Sequence, residues 1–423
     1  MTSSAGLPQT QFAPDFKLVV WHFGLGVFGF VATAAACLFA AQTAPGHWFQ
    51  APLLGVVHIA ALFWFFPIAM GALHQMVPVL FEVPIHSEKL SWVALLLLVL
   101  GASGLVAHMF TLKMGTGMAG TGVLTAVSVW VYAWNLLRTI QKSTKRDLVG
   151  RHVRVSLFFL ILAITIGAAL AFNFWKPILP TSHLWWLPAH AHLAIFGFFG
   201  LLIMGVGYKL AEMFLLAYGH SESDGRRAFW LMSLGLLILS VSFILNWNPN
   251  PGLLFLIPAV WFFGKQFGGI LSRRLKKRLD VPWQHTLATI AWLSIALLLG
   301  VCIQFGLHPD AIGPRAATAY GLVAIFGFVG SVISGQMFKI LPFLVWLKWF
   351  SPLLGMKEVR PATELVSLKG MSAQFYSQQG GVLFMLLGIL FNLPELVLFG
   401  AWLFLASALI FSTLIIQTLR ARP

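Results

Sequence analysis

The stretch that decides the reading runs from His192 to Glu212: His-Leu-Ala-Ile-Phe-Gly-Phe-Phe-Gly-Leu-Leu-Ile-Met-Gly-Val-Gly-Tyr-Lys-Leu-Ala-Glu. It aligns without a gap on His58–Pro78, which opens His-Ile-Ala-Ala-Leu, and on Leu322–Pro342, which opens Leu-Val-Ala-Ile-Phe. Gly71 falls on Gly205, Gln75 on Lys209 and Lys339, and Phe196-Gly197-Phe198 on Phe326-Gly327-Phe328. The offsets are 134 and 130 residues, and His22, His152 and His285 recur independently at offsets of 130 and 133. A period of about 132 residues, met three times, points to a chain assembled from internal repeats.

Composition sets the solvent. Of 423 residues, 59% are hydrophobic and 9% charged, against about 45–50% and about 25% in globular chains. A soluble domain of this size is excluded. Phe (38) and Trp (17) outnumber Tyr (5), as lipid-facing helices with interfacial anchors require. A bilayer core takes about 20 apolar residues to cross. Twelve runs qualify: 17–41, 53–80, 91–110, 119–141, 153–173, 188–217, 228–246, 251–270, 285–306, 316–347, 376–392 and 395–416. The spacing thus predicts one transmembrane domain over 1–423, with repeats at about 1–148, 149–281 and 282–423, each of four spans. An even number of spans per repeat makes the repeats parallel, related by an axis along the membrane normal. The expected fold is an all-α membrane protein of twelve transmembrane helices in three pseudo-threefold-related four-helix units.

The basic residues orient it. Segments on one side hold 24 Lys and Arg, whereas the other side holds only Lys113, Lys176 and Arg315. The positive-inside rule then places both termini in the cytoplasm, in the inner membrane of a bacterium. The net charge of +15 is read as stop-transfer and headgroup charge, so the lipid bilayer and not nucleic acid is the partner. Cys37 and Cys302 lie in separate apolar runs and form no CxxCH site, which excludes covalently attached c-type haem. The polar first 16 residues and the lack of a small-residue cleavage pattern predict no cleaved signal peptide.

Histidines carry the chemistry. On this topology His47, His58, His108, His183, His190, His192 and His308 lie toward the outer face, and His22, His74, His86, His152, His220 and His285 toward the cytoplasm. Ionisable groups inside spans are costly and usually functional. His58, His108, His190 and His192 share a common depth to within about two helical turns, and neutral imidazole suits iron, copper and zinc. His190 and His192 point roughly 200° apart on a helix, so they serve different flanks. Met109, Met114 and Met118 accompany His108 as soft donors. The inner triad His22, His152 and His285 is expected to cap helix starts beside anionic headgroups.

Twelve spans in three units, with His190-Ala-His192-Leu-Ala-Ile-Phe196-Gly197-Phe198 followed by Gly205, Tyr208 and Lys209, resemble the haem–copper oxidase subunit I superfamily, in its small divergent form, over essentially the full length. The same string resembles the haem- and copper-containing nitric-oxide-response membrane proteins. In the oxidases a His on span 2 and the second His of an HxH on span 10 hold low-spin haem. The first His of that HxH holds high-spin haem, and histidines on spans 6 and 7 hold copper. By this resemblance His58 matches the low-spin ligand, and His190 or His192 occupies the copper region. Span 10 departs from the pattern with Tyr320 and Leu322, and span 7 offers only Asn246 and Asn248. The usual oxygen-reducing dinuclear centre and proton pumping are therefore not expected.

The pseudo-symmetry leaves two readings. In one, His58 and His192 are the axial pair of a six-coordinate haem b. In the other, His190 ligates a five-coordinate haem facing His58 and His108 as metal ligands. The resemblance implies a redox protein of the cytochrome oxidase or nitric oxide reductase type, moving electrons or reacting with nitric oxide or oxygen, served by a cytochrome or quinol donor. Non-catalytic haem or copper handling or sensing is the second class, and secondary transport the third.

Overall fold

The computed structural model describes residues 12–145, 147–307 and 312–423; His308 lies outside them. Within them the secondary structure is helical, with no strand. In chain order the long helices are α1 (Phe16–Ala40), α2 (Ala51–Phe81), α3 (Glu88–Thr111), α4 (Thr116–Gln141), α5 (Leu148–Asn173), α6 (His183–Leu215), α7 (Ser223–Ile244), α8 (Asn250–Ser272), α9 (Val281–Gln304), α10 (Gly313–Trp349), α11 (Leu368–Phe391) and α12 (Pro394–Arg420). These match the twelve apolar runs one for one. Eleven are long and apolar enough to cross a membrane, α11 not being among them. Its first half carries Lys369, Gln374, Gln378 and Gln379, of which Gln374 and Gln378 are fully buried. Helices are the form that satisfies every backbone group internally where no water reaches. Large apolar side chains face outward along them, such as Phe39, Trp230, Leu254 and Trp261, the surface a lipid solvent takes.

Three of the helices share an irregularity. α2, α6 and α10 each widen into π-helix part-way, at Ala60–Phe65, Leu193–Gly200 and Val323–Val329. The three starts are separated by 133 and 130 residues, the period read in the sequence. In α2 the widening ends just before Pro67, whose ring cannot tolerate the carbonyl four residues back in regular helix. α6 and α10 have no proline at that place, and glycines occupy the wide turn instead.

The chain packs as two compact units: residues up to Gly24 with Phe66–Lys276, and Leu25–Phe65 with Lys277–Pro423. In the first, the start of α1 lies on the end of α2, where a Cβ at Gly71 would meet the Cβ of His22 at 3.0 Å. The same unit repeats the contact between α5 and α6, where a Cβ at Gly205 would overlap that of His152. In the second unit α9 lies on α10 likewise, with His285 over Gly335. Without a hydrophobic force between helices in lipid, such close approach over small residues supplies the packing energy.

A second contact recurs with its sizes exchanged. Phe159 of α5 fills the space over Gly197 of α6, and Trp292 of α9 that over Gly327 of α10. Between α1 and α2 the glycine is on the other helix, Gly29 pressing on the backbone of Phe63. The second unit also holds an aromatic core in which Phe30 stacks on Trp64 at 3.8 Å, with Phe404 edge-on to both. There α11 and α12 meet backbone to backbone, Gly381 against Gly400.

The expectation for the inner triad is corrected here. His22, His152 and His285 are fully buried and sit in the second turn of their helices. None caps a helix start or reaches headgroups. Their apolar neighbours hide them, because each faces the glycine of the next helix and not the bilayer surface.

Candidate functional site

His58 and His192 both stand just ahead of a π-helical segment, His58 two residues before Ala60 and His192 one residue before Leu193. Each ring is held alike: Nδ1 of His58 donates to the Leu54 carbonyl at 2.8 Å, and Nδ1 of His192 to the Pro188 carbonyl at 2.8 Å. A carbonyl only accepts, so the proton sits on Nδ1 and Nε2 carries the lone pair. Metal-ligating histidines are oriented this way, with the second nitrogen donating to a backbone oxygen. Leu322 occupies the equivalent point of α10 and offers no donor.

His190 and His192 turn to different helices, as their spacing requires. His190 donates from Nδ1 across to the Ala163 carbonyl of α5 at 2.8 Å, and Gly167 leaves the room its ring needs. His192 lies against Phe243 of α7 at 5.3 Å between ring centroids, and against Phe196 of its own helix at 5.7 Å. His190 is thus pinned between two helices, whereas His192 is oriented by its own.

His108 closes the end of α3. Its Nδ1 bonds to the Lys113 carbonyl at 3.0 Å, and its ring covers Gly117. Of the accompanying methionines, Met109 and Met118 are buried and Met114 is exposed. No three His, Cys, Asp or Glu side chains form a metal-binding group among the described residues. Carboxylates sit at helix ends in ion pairs: Glu82 with Lys145 at 2.9 Å, Glu212 with Lys209 at 2.9 Å, and Asp280 with Lys339.

The sequence reading passed over two buried polar groups. In the first unit His74, Ser91, Ser128, Tyr132 and Asn135 are all buried. Asn135 donates to Ser91 Oγ at 2.9 Å and to the Ser87 carbonyl at 2.8 Å, and Ser91 Oγ lies 3.0 Å from His74 Nε2. In the second unit His285 Nε2 bonds to Gln374 Oε1 at 3.0 Å, and Gln374 donates on to Gln378 at 2.8 Å. Beside it Trp292 donates to Gln379 at 2.7 Å, which donates to Ser331 at 3.1 Å. The signal was present as polar residues three or four apart in α4 and α11, which lie on one helix face.

A scan of family models finds none that matches the chain, and none of the curated proteins compared with it matches either.

Proposed function

We propose that the chain is a haem-carrying redox protein of the membrane, of the haem–copper oxidase subunit I type, with His58 and His192 each a residue that would hold haem iron. The observation that carries this reading is their shared setting, an imidazole with Nδ1 fixed by the carbonyl four residues back, at the entry to a π-helical segment. π-Helical turns are rare and concentrate at functional sites. The residue type fits haem iron, since each imidazole has Nδ1 fixed by a backbone carbonyl, the way ligating histidines are oriented.

Held by these residues, haem b would supply a one-electron couple. The chain's own part is to orient the imidazoles through Leu54 and Pro188 and to keep the surroundings apolar, with Phe196 and Phe243 beside His192. Proton pumping is not part of the reading, because the ion-paired carboxylates stand at helix ends. The recurring π-segments and His–Gly contacts support three four-helix repeats, and the charge split supports cytoplasmic termini in a bacterial inner membrane. Haem or copper handling without turnover is the second reading.

The absorption spectrum of the purified protein tests the proposal. A Soret band that shifts on dithionite reduction is expected, and a folded but colourless, iron-free protein overturns it. Steady turnover with nitric oxide or oxygen separates an enzyme from a carrier.

A further inference from the structure

In each sequence repeat a basic segment follows the fourth helix, and it meets the end of the second. In the first repeat Ser143 Oγ donates to the Phe81 carbonyl at 2.8 Å, and Lys145 pairs with Glu82 at 2.9 Å. In the third, the guanidinium of Arg422 lies over the ring of Trp349 at 4.5 Å. A cation of the closing segment thus meets a carboxylate in one case and an aromatic ring in the other.

The second repeat makes the same join with a different residue at its centre. The backbone N–H groups of Leu275 and Lys276 donate to the Leu215 carbonyl at 3.2 and 3.3 Å. At the offset of 134 residues Leu215 falls on Phe81 and Leu216 on Glu82, and Leu216 and Glu82 share a positive φ of 52° and 55°. Where the first repeat sets a carboxylate against its cation, the second presents a leucine. Arg273 donates to the Gly219 carbonyl at 2.6 Å and forms no ion pair among the described residues. Glu212, the carboxylate one turn back along α6, is held by Lys209 at 2.9 Å.

We propose that this patch binds one anionic phospholipid, with its phosphate near Arg273 and Lys276 and an acyl chain along Leu216 and Leu275. The Leu215 carbonyl brings Leu216 and Leu275 side by side, and the Gly219 carbonyl brings Arg273 beside Tyr218. Leu275, set between Arg274 and Lys276, is 71% exposed, and Tyr218 and Leu216 are exposed as well. The patch stands at the ends of α6 and α8, where a spanning helix meets the headgroups. Cations at such an end attract anionic lipid, and a guanidinium matches a phosphate with two parallel hydrogen bonds. A free phosphate would use the cations and leave Leu275 in water, whereas a lipid covers both. The site does not depend on the haem reading.

The test is native mass spectrometry of the full chain released from micelles, titrated with phosphatidylglycerol or with phosphatidylcholine. The first phosphatidylglycerol is expected to bind more tightly than the first phosphatidylcholine. Arg273→Gln, which removes one exposed cation, is expected to weaken it about 5-fold. Leu216→Glu installs the side chain that the first repeat carries at the same positive φ, and is expected to weaken it at least as much. Lys142→Gln, which removes an exposed cation from the first repeat's segment, should leave it unchanged. Equal binding of the two lipids, or equal phosphatidylglycerol affinity in wild type, Arg273→Gln and Leu216→Glu, overturns the proposal. Full affinity in Leu275→Ser would reduce the site to a phosphate contact and overturns it as well.

Discussion

Gly205 lies so close beneath His152 that a Cβ at position 205 would come within 2.7 Å of the imidazole Cγ. The obstacle includes the Cβ of His152 itself, which no rotamer change removes. Gly205→Val is therefore expected to push α5 off α6 and destabilise the protein by about 1–3 kcal/mol or more. Gly207, two residues on, has nothing within 4 Å of its Cβ position. Gly207→Ala should be neutral or gain up to about 1 kcal/mol from helix propensity. Thermal unfolding in micelles compares the two, and equal melting points would refute the tight contact.

The same pair shows what was legible in the sequence. The twelve helices were, since run length alone identifies them, and so was the period, because identical residues recur. That Gly71 and Gly205 are matched was readable; that each seats a histidine was not, because hydropathy does not say which face of a span meets which neighbour. His22, His152 and His285 were therefore assigned to the bilayer surface when they lie inside the packing. The π-helical segments had no sequence mark, since the alignment holds whether or not the helix widens. Of the candidate ligands, the opposed directions of His190 and His192 followed from helix geometry, whereas the Ala163 carbonyl that holds His190 comes from a residue 27 positions away.

The exchanged sizes at the second helix contact give a compensation experiment. Phe159 sits over Gly197, where an added Cβ would come within 2.8 Å of the Phe159 Cβ, whereas α1 and α2 place the glycine, Gly29, opposite Phe63. Gly197→Phe alone should abolish stable folding through overpacking. Combined with Phe159→Gly, it recreates the α1–α2 arrangement and should recover a folded, if weaker, protein. Size-exclusion profiles and unfolding curves read the coupling, and additive losses would show that the two positions do not share the space.

In the second unit, Gln374→Leu removes the acceptor of a fully buried imidazole nitrogen, His285 Nε2. The expected loss is about 1–3 kcal/mol, the cost of an unmade buried hydrogen bond. Adding His285→Phe removes the orphaned imidazole N–H and should restore part of that loss, the remainder being the buried Gln378 Oε1 that has lost its donor. A double variant no more stable than Gln374→Leu would count against this hydrogen bond as the cause.

Orientation is testable at two loops. A single cysteine introduced near Asn248, between α7 and α8, should react with an impermeant maleimide added to intact cells. One introduced at Lys145, between α4 and α5, should react only after permeabilisation. The opposite pattern would invert the topology drawn from the distribution of Lys and Arg.

The ligands can be separated by spectrum. Two neutral imidazoles set a six-coordinate, low-spin haem, so His58→Ala and His192→Ala should each abolish that signature. His190→Ala should cost stability, because it removes the 2.8 Å bond to the Ala163 carbonyl and empties the space over Gly167, but it should leave the spectrum in place. The reading with His190 on a five-coordinate haem gives the reverse: carbon monoxide binds the reduced wild type readily, His190→Ala loses the haem, and His192→Ala matters little. All three imidazoles have Nδ1 held by a backbone carbonyl, His190 by one on a neighbouring helix and His58 and His192 by ones on their own, so the spectra decide between the two readings. Should all three variants keep full haem with unchanged spectra, the histidines are structural and the iron is held elsewhere.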